Sequence, residues 1–201
     1  MKIRTITCFS KFSQPVNNHA IPENQIKRCG KFLSQAKQAF EVGGYEVQTR
    51  RLATTPFPNY LRINGDGRSN LSWVEALTSL AVEMEKATAL LGIEYVSLGP
   101  AAVGQWEAYQ AIPAALRATQ NIFLSAMMTT PKGEKEPSEG NISLEAIRAC
   151  AKIIHQSAAI TPDGFANLRF SALANVPGGA PFFPAGYQTG EDEISFALGL
   201  E

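Results

Sequence analysis

The segment Leu168-Arg169-Phe170-Ser171-Ala172-Leu173-Ala174-Asn175-Val176-Pro177-Gly178-Gly179-Ala180-Pro181-Phe182-Phe183-Pro184-Ala185-Gly186-Tyr187 passes from an apolar run into a loop of unusual make-up. The acidic patch Glu191-Asp192-Glu193 and an alternating run over 194–200 follow it. Adjacent phenylalanines bracketed by proline and glycine are too apolar for a solvated loop and too broken for a helix or strand. The loop therefore packs into something, either a pocket of its own chain or a partner.

Upstream of that loop, helical and extended patterns alternate. Residues 2–9 place Ile3, Thr5, Thr7 and Phe9 on one face and Arg4, Ile6 and Cys8 on the other, which predicts a first strand. Pro22 suits a first helical turn. Ile26, Cys29, Phe32, Leu33, Ala36 and Phe40 then keep helical spacing until Gly43-Gly44. A second strand is predicted over 45–52, followed by a proline-rich aromatic loop over 55–60. Ser72-Trp73-Val74-Glu75 has the form of a capping box, and Trp73, Leu77, Leu80, Met84, Ala87 and Leu91 continue as an apolar stripe to Gly92. Beyond it come a strand over 93–98, a helix over 106–118 that Pro113 should kink or break, and an apolar strand over 121–128 covered on both faces. A helix over 144–158 leads to a strand over 168–174. This order implies right-handed crossovers and a mainly parallel α/β sheet in a single domain over 1–201. The run over 194–200 is a final strand whose edge needs cover, from a partner or from the rest of a longer protein.

The 201 residues suffice for a substantial core, and 18 Lys plus Arg balance 18 Asp plus Glu. No basic stripe is available to neutralise phosphates, so nucleic acid is not an expected partner. Cys8, Cys29 and Cys150 are odd in number and lack any Cys-x-x-Cys spacing, which points to a reducing compartment and a cytoplasmic location. No apolar run approaches the roughly 20 residues of a membrane-spanning helix.

Phosphate-binding, nucleophile-elbow, zinc-protease and dinucleotide motifs are all missing from the sequence. His19 and His155 are too few for a multi-histidine metal site within one chain. Ligands of parallel α/β sheets meet the loops at the carboxyl ends of the strands, which draws attention to residues near those ends. Cys8 ends the first strand on the face of Arg4, whose charge would lower the thiol pKa; otherwise Cys8 is a small buried hydrophobe. Arg50, Arg51 and Arg62, with Tyr60, surround the loop after the second strand and could grip a carboxylate or phosphate. The Gly65-Asp66-Gly67-Arg68 turn could hold an anion or be an ordinary turn, and 130–140 is a lid or a plain connection. Glu191, Asp192 and Glu193 could hold a hard cation or form a solvated turn. The candidate site is thus Cys8, Arg62 and Tyr187 as catalytic groups, with Arg4, Asn175, Phe183 and Gly186 as ligand contacts.

Several segments resemble the DUF711 family, also called UPF0210. They are Ile3-Arg4-Thr5-Ile6-Thr7, Ile112-Pro113-Ala114-Ala115-Leu116, Arg169-Phe170 through Ala174-Asn175 to Pro181-Phe182-Phe183-Pro184-Ala185-Gly186-Tyr187, and Phe196-Ala197-Leu198-Gly199-Leu200. Family members are about twice as long, so the resemblance covers their N-terminal half, and Gln188 stands where members often carry histidine. The resemblance implies a fold related to the glycyl-radical-enzyme barrel, in which two five-stranded parallel half-sheets join antiparallel. This chain would then be one half of a ten-stranded α/β barrel. Ala185-Gly186-Tyr187 is superficially similar to the glycyl-radical loop, but the preceding Arg-Val and adjacent catalytic cysteines are missing, so radical chemistry is not carried over.

Two functional readings follow. One is an enzyme, its cofactor unknown, acting on a small polar or anionic substrate at the strand carboxyl ends. The other is a non-catalytic ligand-binding or assembly subunit whose Phe-Phe-Pro loop is an interface. Its partner would be a second copy or a second half-barrel chain.

Overall fold

In the computed structural model, which describes residues 2–12, 21–61, 71–130, 141–189 and 194–201, the predicted elements form in the predicted order. The strands are β1 (Lys2–Ser10), β2 (Glu46–Thr54), β3 (Tyr95–Ala101), β4 (Ile122–Met127), β5 (Phe170–Leu173) and β6 (Ile194–Leu200). The helices are α1 (Glu23–Val42), α2 (Trp73–Ala89), α3 (Trp106–Ala118) and α4 (Leu144–Ala158). Ser72 and Glu75 close the capping box of α2: the Glu75 amide donates to Ser72 Oγ at 3.3 Å, and the Ser72 amide donates to Glu75 Oε2 at 2.9 Å. Pro113 does not break α3, which continues to Ala118 with that proline buried inside it.

The fifth strand is shorter than the apolar run suggests, for a local reason. Gly164 adopts a left-handed φ of 70°, and Asp163 Oδ1 accepts the Phe165 amide at 3.0 Å. Together they start a 3-10 turn over Phe165–Arg169 that takes up Leu168 and Arg169 before the strand begins.

The sheet order is β5-β4-β3-β2-β1-β6, with the first five strands parallel and β6 antiparallel to β1. Each crossover moves one strand along in the same direction, so right-handed connections put every helix on one face. Side-chain alternation agrees. Ile6, Cys8, Leu52, Val96, Leu98, Ile122, Leu124 and Ala126 point into the core with Leu33, Leu77, Met84, Ile112 and Ile153 of the helices. The opposite face carries Phe9, Ala53, Tyr95 and Phe123, and the element packed on it is the loop bearing Phe183. The apolar β4 run is therefore covered by helices on one side and by this loop on the other.

Residues 175–189 lie across the open face as a strap. Tyr187 Oη donates to the Val176 carbonyl at 2.7 Å, and the Gly179 amide donates to the Tyr187 carbonyl at 2.8 Å. The Gln188 amide donates to the Thr54 carbonyl at 2.9 Å, and Ser97 Oγ donates to the Pro184 carbonyl at 3.3 Å. The strap doubles back closely at Gly186, where a Cβ would sit 3.0 Å from the Ala180 carbonyl oxygen and one of the two would have to give by a few tenths of an ångström.

Candidate binding site on the open sheet face

A bulge sets up the site. The register between β1 and β6 shifts between Ile3 and Thr5, so Ile3 and Ile6, three residues apart, both enter the core. Arg4 and Thr5 between them line a cavity on the open side. Cys8, which simple alternation places on the face of Arg4, instead lies under α1 with no exposure, hydrogen-bonded to Cys29. That shared bond and burial raise the Cys8 thiol pKa, while the same bond lowers that of Cys29 to about 7.

Arg51 occupies the centre of the open face. Its guanidinium carbon is 5.4 Å from the Tyr95 ring centroid and 5.3 Å from that of Phe183. Phe123 meets both rings edge-on, at 5.3 Å from Tyr95 and 5.4 Å from Phe183. Arg51 Nε donates to Thr49 Oγ1 at 3.1 Å, while Thr49 Oγ1 donates to the Arg4 carbonyl at 2.8 Å. This fixes the guanidinium beside the bulge. Burial lowers the Arg51 pKa on balance, with the Arg4 charge acting the same way and Tyr95 and Glu94 acting against it. Arg50, on the other face, pairs with Glu94 at 3.5 Å, but among the described residues no carboxylate is within ion-pairing distance of Arg51.

The cavity over this face has a volume of about 990 Å³ and lies toward the amino ends of the strands, beside Tyr95 and Asn121. Four arginines line it, Arg4, Arg51, Arg117 and Arg169, and among the described lining residues there is no Asp or Glu. Arg169 is committed to structure: it is 5 % exposed and donates to the Leu116 carbonyl at 2.7 Å and to the Ile122 carbonyl and Thr119 Oγ1 at 3.4 Å each. The remaining wall is largely apolar, with Phe123, Phe182, Phe183 and Leu168.

The structure thus divides the residues singled out in the sequence. Arg4 and Phe183 meet in this cavity. Asn175 and Tyr187 line a separate pocket of about 420 Å³ beyond the carboxyl ends of β4 and β5. There Asn175 holds a left-handed φ of 55° and donates its amide to Thr129 Oγ1 at 3.0 Å, and burial raises the Tyr187 pKa. Gly186 is buried in the strap. Tyr60 is buried with its hydroxyl 2.9 Å from Thr54 Oγ1 rather than facing a ligand, and His155 is exposed on α4. Arg62, His19, the 65–68 turn, 131–140 and Glu191 to Glu193 lie outside the described residues. Among the described residues no three His, Cys, Asp or Glu side chains group closely enough to hold a metal, and no helix is long and apolar enough to cross a membrane.

Sequence reasoning missed Tyr95, Phe123 and Arg117. The available signal was parity: Arg51 and Tyr95 are register partners in neighbouring strands, and Phe123 sits two strands from Arg51 on the same face.

These features define an α/β protein with helices on one sheet face and an arginine-lined, aromatic-walled cavity on the other. The model of the family described as "Uncharacterised ACR (DUF711)" matches residues 1–201, and the chain belongs to that family. A relative described as a UPF0210 protein, from Methanococcus aeolicus, is 21% identical over 208 residues, covering 98% of this chain and 43% of that protein. The chain therefore spans less than half the length of that curated relative.

Proposed function

We propose that this chain is a cytoplasmic anion-binding module that holds a small organic anion between Arg51 and Arg4 on the open sheet face. The observation that carries this reading is the charge of the cavity: Arg4, Arg51 and Arg117 line it beside the structurally committed Arg169, with no carboxylate among the described lining residues, in a chain whose formal net charge is zero. Guanidinium groups with no carboxylate beside them in the described lining, on a partly desolvated, aromatic-walled surface, favour an anionic ligand over water. Binding is favoured over bond-breaking because no imidazole, thiol or carboxylate is present among those lining residues to move a proton.

Titration of the 201-residue chain with acetate and inorganic phosphate, followed by NMR chemical shifts, tests the reading. Arg51→Met and Arg4→Ala are each expected to weaken anion binding about tenfold or more, the effect of losing a charge-assisted hydrogen bond. Arg4 is exposed on the bulge, so its variant should fold normally. Unchanged affinity in both variants would overturn the proposal.

A second reading concerns assembly. Phe182 is 70% exposed, and β6 lies antiparallel on the edge of β1, as the first strand of an antiparallel-joined second half-sheet would. In this reading the sheet is one half of an α/β barrel, and the far wall of the cavity comes from a second copy or second half. Sedimentation of this polypeptide at micromolar concentration is expected to give a dimer or larger species. A monomer throughout that range would rule out self-completion.

A further inference from the structure

Resting on the anion-binding reading, we infer that the ligand of this cavity is an anion carrying an apolar body, a carboxylate of the arylalkanoate kind in chemical class, and not a bare inorganic anion. The cavity presents cationic and apolar groups side by side: Arg51 packs on Tyr95 and Phe183, and Arg169 adjoins Leu168 in the lining. Arg4 and Arg51 stand over β1 and β2, while Phe123, Phe182, Phe183 and Leu168 form the adjoining wall. Of these, Phe182 is 70% exposed and Leu168 is 61% exposed, so apolar surface is presented to the same space as the guanidinium charge. A bare anion would satisfy the arginines and leave those rings wet; an apolar body attached to the anion removes that surface from water.

The headgroup follows from the donors. Tyr95 and Phe183 pack against Arg51, and Nε is already donated to Thr49, which leaves the Nη edge for a planar two-oxygen acceptor. Phosphate also accepts from such an edge, but none of α1 to α4 brings its N-terminus to the described lining to add the backbone amides that favour a dianion. The α-helix ends nearest the cavity are C-terminal, α3 at Arg117 and α4 just before Ile160, the negative ends of their dipoles, and the Leu116 carbonyl of α3 already accepts from Arg169. The cavity volume of about 990 Å³ lies at the upper end of the range for small-molecule sites and exceeds what acetate or phosphate would fill.

Four probes separate the possibilities: phenylacetate, acetate, inorganic phosphate and the neutral phenylacetamide, each titrated by NMR into the 201-residue chain and its Arg51→Met and Arg4→Ala variants. Phenylacetate is expected to bind at least tenfold more tightly than the other three, with shifts at Tyr95 and Phe123, and to lose that advantage over phenylacetamide in the Arg51→Met protein. Acetate or phosphate binding as tightly as phenylacetate, still dependent on Arg51, would remove the apolar-body inference and keep the anion reading. Phenylacetamide matching phenylacetate, or no probe binding at all, would overturn both.

Discussion

Arg169→Ala is expected to lower the unfolding free energy by about 3 kcal/mol, seen as a shift of the urea midpoint at unchanged slope. The side chain is 5 % exposed and joins three elements: the turn before β5, the last turn of α3 through the Leu116 carbonyl, and the start of β4 through the Ile122 carbonyl. The final four carbonyls of a helix have no partner within it, so Leu116 depends on this guanidinium for its 2.7 Å bond. The positive charge also faces the negative end of the α3 dipole. Burial pulls the Arg169 pKa down, so part of the gain is offset by desolvation of the cation. The two contacts at 3.4 Å are long and add little beside the short one. Arg169→Lys should recover less than half of the loss, because a point ammonium does not reach carbonyls of α3 and β4 together as the planar fork does. Arg169→Met should fall close to the alanine variant, since it restores packing while leaving the carbonyls unpaired. A midpoint for the alanine variant within about 0.5 kcal/mol of the parent would contradict this account.

The same arginine marks where the sequence stops being informative. Element types were legible because their signals are local: the capping box at Ser72, the stripe from Trp73 to Leu91, the alternation from Lys2. A run of strands alternating with helices also fixed the α/β class. Strand order was not legible, because a right-handed crossover is compatible with moving left or right along the sheet. Only the sequential order β1 to β5 puts all the helices on one side and leaves an open face. Without it, nothing in the sequence pairs Arg51 with Tyr95 or with Phe183, which is 132 residues away along the chain (183 − 51).

Parity failed for an equally physical reason. Period-2 alternation assigns faces correctly until one extra residue enters the ladder, after which every side chain beyond it changes sides. The bulge between Ile3 and Thr5 is such an insertion, and it separates Arg4 from Cys8. The expected site at the carboxyl ends divides because the strap after β5 does not stay there. It carries Phe183 back over Ala53 and Phe123, while Asn175 and Tyr187 hold its two ends together near Thr129 and Val176. Its high apolar content was readable; the surface it packs on was not.

Phe183→Ala should free that strap. Truncating a buried phenylalanine costs roughly 3 to 5 kcal/mol, and Phe183 is 8% exposed against Phe9, Ala53 and Phe123, which sets the expectation near 3 kcal/mol at this rim position. The contacts left include the bonds from Gln188 to Thr54 and Ser195 and from Ser97 to Pro184, with Ala185 and Tyr187 packed on Leu173, but each such bond on a segment with no regular secondary structure is worth only about 1 kcal/mol net. Hydrogen exchange at the Gln188 amide should therefore accelerate roughly a hundredfold, the exchange equivalent of that loss, while amides in the centre of β3 slow or quicken far less. Arg51 would also lose one of its two rings and gain rotamer freedom, so anion affinity should fall together with strap protection. Phe183→Leu divides the two effects: it refills much of the volume, which should restore most of the Gln188 protection, but offers no ring face to the guanidinium, so binding should stay weak. If Phe183→Ala leaves Gln188 exchange unchanged, the strap is held by its backbone bonds and the aromatic wall contributes nothing to its placement. If Phe183→Leu restores binding as fully as protection, the role of the ring is packing alone, and Arg51 is positioned by Thr49 and Tyr95 without it.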